Sequence, residues 1–285
     1  MRLSGNHLRT AVLLAMLYLS VPSYSQIRGG GLMVTPTRVE MDGRTRSTSI
    51  SLINNSNETS TYRIQTINSR MTELGERQNI LGEPGKDELF ADKLVKFAPR
   101  QVRLKPGEQQ TIRVMSRISN SLKKGEYRTG LNFQWIPEPG EPQLKTHSSS
   151  NDGLAVNVQF SYGITVPVII RHGDLSATGR ITGLKLLSAN EADRNLKITI
   201  DREGDRSLYG DLSVFRVKAD GKQELINSVR GIAIYVPNQR RIYTMKIPGG
   251  KSGTPNDGKE KLRVEYREIN ENGGQLIAES SINLD

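Results

Sequence analysis

Cysteine is absent from this 285-residue chain. Disulfides, thiolate metal sites and a lipid-modified cysteine are thereby excluded. Histidine is scarce: beyond His7, only His147 and His172 occur, and neither has ligand-spaced neighbours, so no metal site is expected. Aromatic residues make up 5% of the chain, and Trp135 is the sole tryptophan, which leaves little for a sugar-stacking platform. There is no Gly-x-Ser-x-Gly elbow and no phosphate-cradling glycine loop. Gly29-Gly30-Gly31 reads as a flexible lead-in, and Glu138 and Glu141 lie in a polar loop that nothing fixes. These absences point away from an enzyme and from any cofactor. Helical periodicity is missing as well. The one long apolar run, Ala11 to Leu19, is too short to cross a bilayer.

That run has a different meaning. Arg2 and Arg9 precede it, Pro22 breaks it, and Ser23-Tyr24-Ser25 offers a small-x-small cleavage site. Residues 1–25 are therefore expected to be a secretory signal peptide, leaving an exported protein without a membrane anchor. The formal charge is +10, yet the basic residues are dispersed, as in Arg38, Arg44, Arg46, Arg63 and Arg70. No Lys/Arg cluster interleaved with aromatics appears, so nucleic acid is not an expected partner.

What the chain does contain is alternation. Short segments of period two, punctuated by Asp42-Gly43, Lys105-Pro106-Gly107, Asp220-Gly221 and Asn272-Gly273, predict an all-β protein. Leu32 to Met41, Leu94 to Leu104 and Tyr127 to Ile136 read as extended, and Leu74 to Asp92 as loop or edge. Later strands are expected at 179–187, 195–201, 209–219, 231–236, 241–247, 261–268 and 275–284. Pro137 to Asp152 is nearly devoid of apolar residues and reads as a long loop. The expected architecture is two tandem immunoglobulin-like sandwiches set at an angle. Residues 26–172 would form the first domain and 173–285 the second, with a hinge at Arg171 to Asp174.

One segment stands apart. Every even position from Leu154 to Ile170 is apolar, and most odd positions are small or polar. Seventeen extended residues would span roughly 56 Å, against about 5–6 residues for an ordinary strand. Ile164, Val166 and Val168 can fill the protein's own core. Val156, Val158, Phe160 and Tyr162 would extend beyond it and need a partner. Burying four such side chains is worth on the order of 6–12 kcal/mol before ordering costs. A secreted adhesion or carbohydrate-binding protein, with this strand buried internally, is the alternative.

Several motifs occur in a telling order: Thr35-Pro36-Thr37-Arg38-Val39, Phe97-x-Pro99-Arg100-Gln101-Val102-x-Leu104-x-Pro106-Gly107, Gly125-Glu126-Tyr127-Arg128, and Tyr162-Gly163-Ile164-Thr165-Val166-Pro167-Val168. Together they resemble the PapD-like periplasmic chaperones of the chaperone–usher pathway of pilus and fimbrial biogenesis. The resemblance implies donor-strand complementation. The long strand (Val156, Val158, Phe160, Tyr162, Ile164) is lent to a pilus subunit that is then delivered to an outer-membrane usher. It also implies that Arg38 grips the subunit's terminal carboxylate, that Glu126, Arg171 and Glu271 form an interdomain charge cluster, and that the free protein has a route to a self-capping homodimer. The family's second anchor, a lysine on the long strand, falls at Pro167 here. Pro167 also lacks a ladder donor, so its nitrogen should face an edge or a bulge.

Overall fold

The computed structural model describes residues 27–29, 31–119, 121–137, 162–188, 193–248, 260–269 and 274–284. The signal segment, Val156, Val158, Phe160 and Glu271 lie outside the described residues. The first part of the chain forms twelve strands: β1 (Ile27–Gly29), β2 (Leu32–Thr35), β3 (Val39–Met41), β4 (Ser47–Asn54), β5 (Ser60–Ile67), β6 (Ser69–Met71), β7 (Arg77–Asn79), β8 (Val95–Ala98), β9 (Gln101–Leu104), β10 (Gln109–Ser116), β11 (Gly125–Ile136) and β12 (Gly163–His172). Seven follow: β13 (Ala177–Ser188), β14 (Asp193–Gly204), β15 (Leu208–Val217), β16 (Gln223–Ile234), β17 (Arg240–Pro248), β18 (Lys261–Glu268) and β19 (Leu276–Asn283).

The strands build two sandwiches. In the first, sheet β1-β2-β4-β10-β8 faces sheet β3-β12-β11-β5-β9 across a core that includes Ile50, Leu52, Tyr62, Ile112, Leu131 and Phe133. In the second, β13-β14-β17 faces β16-β15-β18-β19 around Ile198, Leu212, Val264 and Tyr266. The protein is thus all-β with two immunoglobulin-like sandwiches, as the alternation predicts.

Two extended segments of the sequence each supply both sheets. Leu32 to Met41 divides into β2 and β3, and Val95 to Leu104 into β8 and β9. Each break falls at a proline, Pro36 and Pro99, where a missing N–H ends one ladder. The chain then crosses to the other sheet. This crossing places Arg38 at the rim between the layers, just before β3.

Two elements differ from expectation. β6 and β7 form a short hairpin, with β7 inside the segment Leu74 to Asp92 that reads as loop or edge. Its tip docks on the second sandwich: Ile242 N–H donates to Glu73 O at 2.8 Å, and Asn238 Nδ2 to Met71 O at 2.5 Å. The strand expected at 231–236 begins much earlier, at Gln223. Its first residues are polar because β16 lies at a sheet edge, and register shifts interrupt its pairing with β15.

β12 organises the first sandwich. It pairs antiparallel with β11 along its whole length and parallel with β3 only at Val168, Ile169 and Ile170. Ile164, Val166, Val168 and Ile170 point into the core and are buried.

Candidate functional site

The register of the ladder generates the site. Trp135 N–H donates to Tyr162 O at 3.0 Å. Antiparallel alternation then directs the backbone groups of Tyr162, Ile164, Val166, Val168 and Ile170 toward β11. Those of Gly163, Thr165, Pro167, Ile169 and Arg171 point to the opposite side. There β3 covers only Val168 to Ile170. From Gly163 to Pro167 the ladder has no partner on that side among the described residues. Pro167 sits with its donorless nitrogen at this open edge, in line with the sequence rule. Tyr162, at the start of the open stretch, is 36% exposed and stacks on Trp135 at 5.1 Å between ring centroids.

The same alternation gathers side chains on the outer face of the sheet. Glu40 of β3, Arg171 and Ile169 of β12, and Glu126 and Arg128 of β11 all project there, in paired register. Arg171 lies directly opposite Glu126, and its Nε donates to Glu126 Oε2 at 3.0 Å. Its Nη1 donates to Glu40 Oε2 at 2.5 Å. The structure therefore brings Glu126 and Arg171 together, with Glu40 as a further acid that sequence reasoning missed. Glu40 stands two residues after Arg38 in an extended segment, a spacing that would have placed it on the same face.

Glu126 ties the two sandwiches. Its side chain is 1% exposed. It accepts hydrogen bonds from the Ser207 hydroxyl and, at 3.1 Å, from the Ser207 N–H. Ser207 Oγ in turn accepts from Val236 N–H at 3.0 Å. A buried carboxylate requires such a full set of partners.

Arg38 occupies the cleft beside this network, with its side chain 9% exposed. Its Nε donates to Glu40 Oε1 at 2.6 Å and its Nη1 to Tyr235 Oη at 2.9 Å. The guanidinium lies over the Tyr209 ring at 4.2 Å from the centroid. Nη2 is buried without a hydrogen-bond partner. Burial works against the charge, but Tyr235 and Glu40 outweigh it and hold the guanidinium above its ordinary pKa. Burial likewise opposes ionisation of Glu40, yet Arg38 and Arg171 prevail and keep its carboxyl below the usual range. A pocket of about 270 Å³ opens here, lined by Thr37, Arg38, Pro167, Tyr209, Arg230 and Tyr235. It joins the open edge of β12 to a fixed, fully charged guanidinium whose Nη2, with its two N–H groups, has no partner among the described residues. Tyr209 and Tyr235 come from the second sandwich and carry no sequence signal linking them to Arg38. No group of three or more potential metal ligands occurs among the described residues.

Residues 31–172 match the family model described as pili and flagellar-assembly chaperone, PapD N-terminal domain. No curated protein matches the chain. Among solved structures, the YadV chaperone is 17% identical, with 89% of this chain and 100% of that one covered, at a TM-score of 0.41. The Salmonella enterica SafA pilin–SafB chaperone complex gives 15% identity, coverage of 90% and 98%, and a TM-score of 0.42. The CsuC–CsuE chaperone–tip adhesion subunit complex of Acinetobacter baumannii gives 9% identity, coverage of 88% and 97%, and a TM-score of 0.43. Through residues 31–172, matched by the family model, the chain belongs to the PapD-type pili and flagellar-assembly chaperones.

Proposed function

We propose that this protein is a periplasmic chaperone that captures pilus or fimbrial subunits by strand addition and hands them to an outer-membrane usher. The observation that carries the proposal is the open edge of β12 from Gly163 to Pro167, set beside the unused donor of Arg38. An incomplete subunit sandwich has unpaired edges that aggregate. Backbone pairing with β12 satisfies those edges, and side chains at alternate positions select the client. Val156, Val158 and Phe160, upstream of the described strand, extend the apolar stripe that Tyr162 and Ile164 continue.

Arg38 anchors the client's terminal carboxylate. A guanidinium fork suits that group because it can donate two parallel hydrogen bonds. Glu126 and Arg171, with Glu40 and Glu271, set the angle of the cleft. Nothing in this cycle calls for a nucleotide or a catalytic residue, because the client's folding onto the lent strand drives capture.

The test is co-expression in a native periplasm followed by affinity purification. Wild-type protein should bring down a smaller β-rich subunit. Arg38→Ala should lose most of that capture, compared at equal amounts of folded protein because the change also removes the bonds to Glu40 and Tyr235. Undiminished capture by Arg38→Ala would refute the anchor.

A further inference from the structure

Pro167 and Tyr235, which also border the Arg38 pocket, line a second cavity of about 150 Å³. Three arginines reach it: Arg70 and Arg77 from the hairpin, and Arg128 from β11. Their circumstances differ. Arg70 is neutralised by a bidentate pair with Glu88, at 2.6 and 2.7 Å. Arg77 donates through Nε to the Ser69 hydroxyl at 2.9 Å. Arg128 donates through Nη2 to the Ser69 carbonyl at 3.2 Å and lies over the Tyr235 ring at 4.2 Å. Among the described residues neither Arg77 nor Arg128 has a salt-bridge partner, and Arg128 Nη1 is buried with no hydrogen-bond acceptor.

Such an arrangement is costly for the empty protein. Burial pulls both guanidiniums below their ordinary pKa, although Arg77 as a whole is exposed; at Arg128 burial outweighs the opposing effects of Tyr235, Glu126 and Glu88, and the charge of Arg38 adds to it. A buried cation normally has a counter-charge. Gly130 lets these groups close in on the strand: a methyl there would come within 2.4 Å of Thr165 Cγ2 and 2.9 Å of Arg77 Nη2. The cavity, two guanidiniums without a direct ion pair among the described residues, and an orphaned donor define a receptor for an anion.

We propose that Arg128 and Arg77 form a second anion-binding position in the interdomain cleft, separate from Arg38 and built for a carboxylate. Arg128 supplies the donor through Nη1, Arg77 adds charge from the hairpin, and Thr165 brings the open edge of β12 against the bound group. A client chain end or an acidic client side chain would each present this chemistry. The site itself requires no client, so it stands or falls separately from subunit capture.

The experiment is a titration of the ¹⁵N-labelled free protein at constant ionic strength. N-acetylglycine mimics a chain end, N-acetylaspartic acid α-amide mimics an acidic side chain, and N-acetylglycinamide is the uncharged control. Saturable shifts at the Gly130 and Thr165 amides with either acid, and none with the control, are expected. The tighter acid identifies the source. Arg128→Gln should abolish the saturable component and Arg38→Gln should retain it. Arg77→Gln should weaken it several-fold, and gives an independent reading should Arg128→Gln fail to fold. Equal responses in wild type and both Arg128 and Arg77 variants, or linear shifts with no saturation, would overturn the proposal.

Discussion

The two ends of β12 share one strand and one sequence pattern but have opposite surroundings. From Val168 to Ile170 the strand has a ladder partner on each side, and its end is clamped through Arg171 to Glu126 and Glu40. From Gly163 to Pro167 it is paired only with β11 among the described residues. Alternation of apolar residues is continuous across both. What separates them is the shortness of β3, which starts only after the chain has crossed from the other sheet at Pro36. A strand locked at one end can be held out at the other. The lock keeps register, and the open end keeps hydrogen-bonding capacity for a partner.

Substitutions at the locked end should cost most. Val168→Asp would bury a carboxylate in the core without a partner, and a loss of more than about 4 kcal/mol is expected in urea unfolding. Tyr162→Asp, at the exposed end, should shift the same transition by less than about 1 kcal/mol. Similar losses at both positions would erase the distinction between the ends.

Next in size is the clamp. Glu126→Ala removes the acceptor for Ser207 and Arg171 and should destabilise the protein by about 3 kcal/mol. It should also loosen the two sandwiches, read as faster protease cleavage between residues 173 and 176.

The smallest effect concerns pH. Glu40 has a folded-state pKa held below its ordinary 4.5. Its stabilising contribution is therefore complete above that value and is lost as the pH falls below it. Melting temperatures of wild type and Glu40→Gln should differ by a constant amount near neutrality and converge in acid. A gap that widens in acid would reverse the sign.

Much of the fold could be read directly, because period-two alternation and turn residues reflect burial on one face. Arg38, Arg171 and Glu126 were also legible, since motif and strand position place them near the hinge. Arg128 follows Glu126 by two residues, so its shared face was readable, but that it makes no direct ion pair among the described residues was not. Tyr209, Ser207 and Tyr235 were invisible, because they reach the site from the second sandwich through tertiary packing alone. The hairpin of β6 and β7 was hidden by its polar strands, Ser69–Met71 and Arg77–Asn79, which carry little apolar pattern. Its docking relies on backbone carbonyls of Met71 and Glu73, which any sequence possesses.

Amide hydrogen exchange along β12, with and without a captured subunit, bears on the central claim most directly. The amides of Ile164, Val166 and Val168 should be protected in both states, since they point at β11. Those of Gly163 and Thr165 should exchange rapidly in the free chaperone and slow by several orders of magnitude in the complex. Protection of Gly163 and Thr165 already present in the free monomer, or unchanged on capture, would contradict a lent strand.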